Sequence, residues 1–193
     1  MYKTISNKII RQFKPCYDPS DVIKDETEKL PIKDWVQKYR NVVPTKDIIW
    51  LLSRKEFMPE KDLILFVVWC AREVLKLIEN PDERIVEACN VAERYTNGEA
   101  TKEELYAAHI AALNAAYYAA RAAYYADADT YYAAATTIAT ANAVLAAANV
   151  ARVAYYAALS AYHTANKADY DARDAARKIV RTAQIDKLLT YFE

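Results

Sequence analysis

The chain has 193 residues, 54% of them apolar, and its 26 Lys and Arg balance 26 Asp and Glu. That length supports one well-buried domain and crowds a second independent core. Without net charge, no global field draws the chain to nucleic acid or to an anionic membrane, so partner choice is local.

Residues 1–30 mix Lys, Asp and Glu with Pro15 and Pro19 and hold no sustained period, which predicts an irregular N-terminal arm with room for one short strand. The opening MYKTISNKIIRQ lacks the apolar run of a secretion signal. Cys16, Cys70 and Cys89 are odd in number and lack metal-type spacing, which fits a reducing cytoplasm better than a disulfide framework, and Cys70 and Cys89 read as small core residues.

From Pro31 the signals are helical, and a single domain over 31–193 is expected. Ile32, Trp35, Val36 and Tyr39 recur at helical spacing behind Pro31, giving a short helix to about Arg40. Thr45 is the expected cap of the next helix, which carries Ile48, Ile49, Leu51 and Leu52 and closes near Phe57. Pro59 opens the most apolar helix, with Leu63, Phe66, Val67, Cys70, Val74 and Ile78 on one face and Leu65, Val68 and Trp69 widening it. Its breadth marks it as central. Asn80 and Pro81 read as an N-cap and first-turn pair for a helix with Ile85, Ala88, Cys89 and Ala92, and Gly98, the one glycine, supplies the stop. Thr101 and Glu104 have the spacing of a capping box, and Leu105 begins the following apolar stripe.

Between Tyr106 and Ala165 the chain holds 27 Ala and 10 Tyr in 60 residues. Tyrosine pairs recur every seven residues, close to two helical turns, so Tyr117, Tyr124 and Tyr131 line up, with Tyr118, Tyr125 and Tyr132 beside them. The 95 residues after Gly98 contain neither Gly nor Pro, and one straight helix of that length would span roughly 140 Å. The chain therefore turns, with Asp127–Thr130 and Thr164–Asp169 the best sites and Asn142 or Asn149 rivals. The closing stretch reads as an amphipathic helix with Ile179, Leu188 and Leu189 inward. Thr130 to Ala151 is uncharged and long enough to span a bilayer, but its Ala, Thr and Asn content gives weak insertion energy, and no membrane role is expected. The fold class expected is all-α, an up-and-down array of about six to eight helices with Ala/Tyr-rich packing over 106–165.

Chemistry is sparse. One glycine cannot make a phosphate loop. His109 and His163 are not paired with a carboxylate or second ligand at metal spacing, and Asp127 and Asp129, two apart on a helix, point in different directions. No catalytic residue, metal or cofactor is expected. Arg121 and Arg152 are isolated cations in a nearly uncharged field, and Arg121 lies four residues after Tyr117 and three before Tyr124, within stacking reach of either ring. Exposed Tyr and Arg are the composition of binding hot spots, whereas tyrosines bridging alanine-lined helices are core knobs. The candidate partner-binding residues are Tyr117, Tyr118, Arg121, Tyr124, Tyr125, Tyr131, Tyr132 and Arg152.

The stretch from Leu65 to Tyr132 resembles the alanine-rich immunity-protein family of bacterial and phage genomes. Its most specific portion comprises Ala92, Glu93, Arg94, Tyr95, Asn97, Gly98, Ala100, Thr101, Glu104 and Leu105, followed by the alanine and aromatic run. The immunity label of that family is a genomic inference and carries no catalytic residue. The resemblance implies a non-catalytic inhibitor that sequesters a toxin or other effector protein. The residues leave two alternatives open: a pocket for a nucleotide-like signal, with Tyr stacking and Arg121 or Arg152 on phosphate, or a structural role as an oligomer or virion component.

Overall fold

A computed structural model describes residues 1–76, 80–124 and 170–192. It is predominantly helical, and among the described residues the one sheet has two strands. Strands β1 (Thr4–Ile5) and β2 (Leu30–Pro31) pair antiparallel, Thr4 opposite Pro31 and Ile5 opposite Leu30. The seven described helices are α1 (Asn7–Gln12), α2 (Ile32–Tyr39), α3 (Thr45–Leu52), α4 (Glu60–Leu75), α5 (Glu83–Thr96), α6 (Lys102–Tyr124) and α7 (Tyr170–Leu189).

The arm contains more order than its missing period suggests. Ser6 caps α1 by accepting from the Ile9 amide, and Ile5, Ile9, Ile10 and Ile23 are buried in the main core. Asn7 Nδ2, itself buried, donates to the Ile23 carbonyl at 2.8 Å and closes the loop between them. On the outside, Arg11 reaches both Asp18 (2.8 Å) and Glu26 (2.7 Å), while Glu28 accepts from Lys38 and from the Tyr39 hydroxyl. Hydrogen bonds from the Ser20 amide and then from Arg11 hold the Asp18 carboxyl down at about 2. Arg54 fixes the arm to α3, its guanidinium 4.7 Å from the Phe13 ring and 4.3 Å from Trp50. Stacking on two rings replaces part of the hydration that this cation gives up.

Helix α4 is central, as its wide apolar stripe predicts. Leu63, Phe66, Val67, Val68 and Cys70 are almost fully buried, together with Trp35 and Val36 of α2 and Ile48, Leu51 and Leu52 of α3. Burial pushes the Cys70 thiol well above its ordinary range and Cys89 up to about 11, so both are inert small core groups. Helix α7 closes the same core through Ile185 and Leu188. Its buried Gln184 donates Nε2 to Cys70 Sγ at 3.9 Å, and Asp186 meets Arg40 at 3.0 Å.

Local expectations fail at four points. Pro44, not Thr45, is the N-cap of α3, and no side chain caps that end; a proline pre-sets the turn and leaves Thr45 inside the first turn. Helix α3 stops at Leu52, with Phe57 buried after a tight turn in which its amide donates to the Arg54 carbonyl. Asp82 rather than Asn80 caps α5, accepting from the Arg84 amide at 2.9 Å. Ile179 is 69% exposed, because α7 turns Gln184, Ile185 and Leu188 inward and leaves Ile179 on the opposite side.

Candidate interaction surface

The candidate residues lie on or beyond α6, so the turn that launches this helix fixes their placement. Helix α5 ends with Asn97 at the cap and Gly98 at φ 78, a conformation that costs a Cβ-bearing residue but not glycine. The Glu99 amide then donates to the Arg94 carbonyl (2.8 Å) and Gly98 to Tyr95 (3.0 Å), the paired bonds that close a helix through a left-handed residue. Three residues on, Thr101 and Glu104 form the expected reciprocal box: the Thr101 amide donates to Glu104 at 2.7 Å and the Glu104 amide to Thr101 Oγ1 at 3.1 Å. Gly98 thus stops α5, and the Thr101 and Glu104 box starts α6. Arg72 ties α4 to α5 beside this turn through paired bonds to Glu93 (2.9 and 2.7 Å) and one to Asn90 (3.0 Å).

Helix α6 packs on α5 with a narrow inner face. Leu105, His109 and Ala112 are buried there, and Ala112 joins Ile85 and Ala88 in a small second cluster. His109 is thus a packed residue, as its Leu105 neighbour suggests. The outer face carries Tyr106, 56% exposed, and Ile110, 37% exposed, with Ala107 and Asn114 also exposed.

At about 100° per residue, Tyr117, Arg121 and Tyr124 fall within about 60° of Tyr106 around the helix axis, and Tyr118 within about 120°. These are the phases at which Tyr106, Ile110, Asn114 and Ala107 are exposed earlier on the same helix. Ala116 and Ala123 share the phase of buried Leu105. Tyr117, Tyr118, Arg121 and Tyr124 lie in the last turns of α6. Tyr125, Tyr131, Tyr132 and Arg152 lie outside the described residues, as do His163, Asp127, Asp129 and the expected turns. Tyr106 and Ile110 lie outside the candidate set, and their exposure is what the structure adds on this helix.

Among the described residues no three His, Cys, Asp or Glu side chains group as metal ligands. No described helix is long and apolar enough to cross a membrane, and Thr130 to Ala151 lies outside the described residues. Comparison with family models, with curated proteins and with solved structures gives no match.

Proposed function

We propose that this protein works by binding another protein, as an immunity-type inhibitor that sequesters a toxin or effector inside the cell, with the outer face of α6 as its contact surface. The observation that carries this reading is the exposed Tyr106 and Ile110 pair, large apolar groups left in solvent on a helix whose opposite face is buried. Tyr117, Tyr118, Arg121 and Tyr124 extend that face by register, and Tyr125, Tyr131, Tyr132 and Arg152 are its proposed continuation. Aromatic area with a single guanidinium supports such a role: rings supply contact at low conformational cost, and arginine orients an acidic or carbonyl group of the partner. The resemblance to alanine-rich immunity proteins favours a toxin as that partner.

The test uses the full chain with Tyr106→Ala and Ile110→Ala together. Tyr106 is more than half exposed and Ile110 about a third, so the double substitution should cost no more than about 1 to 2 kcal/mol in all and leave the protein folded. Recovery of a stoichiometric toxin or effector from host cells should fall at least about ten-fold, along with protection of those cells. Undiminished recovery by the stable double variant removes this surface, and a wild-type chain that never carries a protein partner removes the reading.

A further inference from the structure

We draw no further inference here: the strongest candidate, the cleft of about 490 Å³ where β1, the starts of α2 and α4 and the segment after α7 come together, is lined by charges of both signs, the Met1 ammonium, Lys3 and Lys33 against Asp34 and Asp62, so nothing in the structure selects an occupant for it.

Discussion

The two hydrophobic clusters of this molecule are built on opposite principles. The larger, around α4, interlocks Trp35, Phe66, Ile48, Leu51, Leu52, Leu63 and Met58, each buried to within a few per cent. The smaller, between α5 and α6, holds Ile85, Ala88 and Ala112. A buried methyl contributes little transfer energy, roughly 0.8 kcal/mol per carbon, so the alanine interface relies on helix propensity, close backbone approach and well-formed ends. One region stores its stability in side-chain volume, the other in the chain's own helical bias. On α6 the described tyrosine ring, that of Tyr106, lies on the outer face.

Substitutions that change volume in opposite directions test this division. Phe66→Ala should cost about 3 to 5 kcal/mol, because it opens a cavity in a close-packed cluster. In the second region the damaging change is enlargement: Ala112→Leu should cost about 1 to 3 kcal/mol by forcing α6 off α5. Urea unfolding measures both. The contrast breaks if Ala112→Leu stabilises the protein, which would mean that the α5 and α6 interface has unfilled space.

Acid should separate the regions next. Asp18, Asp25, Glu26 and Glu28, all in the arm, have carboxyls held below their ordinary values, Asp18 at about 2, chiefly by hydrogen bonds from Ser20, Thr27, Arg11 and Lys38. A folded value below the unfolded one contributes stability that is present above the unfolded value and lost as pH falls through the folded one. For the arm this window runs from about 4 down to about 2, the Asp18 value setting its lower edge. Within it, amide exchange of Ile10 and Ile23 should accelerate before that of Ala92 and Leu105. Simultaneous acceleration in both regions would show that the arm does not open separately.

Local signals were legible where two groups a fixed number of residues apart satisfy each other. The Thr101 and Glu104 box, the Gly98 stop and the apolar face of α4 were readable because each depends on spacing alone. The arm was not, since Ile5, Ile9, Ile10 and Ile23 follow no period, yet all four are buried. Ile179 shows the reverse error, a large apolar residue left outside because α7 contacts the core through its last turns, with Gln184 among its buried residues. The candidate surface was half legible: spacing aligned the tyrosines, but only the burial of Leu105, His109 and Ala112 tells which side of α6 is outer.

The smallest effect should come from the box itself. Thr101 is exposed and its hydroxyl does one thing, accepting the Glu104 amide at 3.1 Å. Removing it in Thr101→Ala leaves that amide to water at a cost of about 1 kcal/mol. Thr101→Asn or Thr101→Asp, which offer the same acceptor, should restore most of the loss. In the main core so small a change would barely move the unfolding midpoint against the volume buried there. At the start of α6, which packs inward through Leu105, Ala108, His109 and Ala112, it should fray the first turn and raise amide exchange at Lys102 to Leu105 selectively. An Ala variant with unchanged exchange there would show that packing on α5, not the capped end, holds α6 in place.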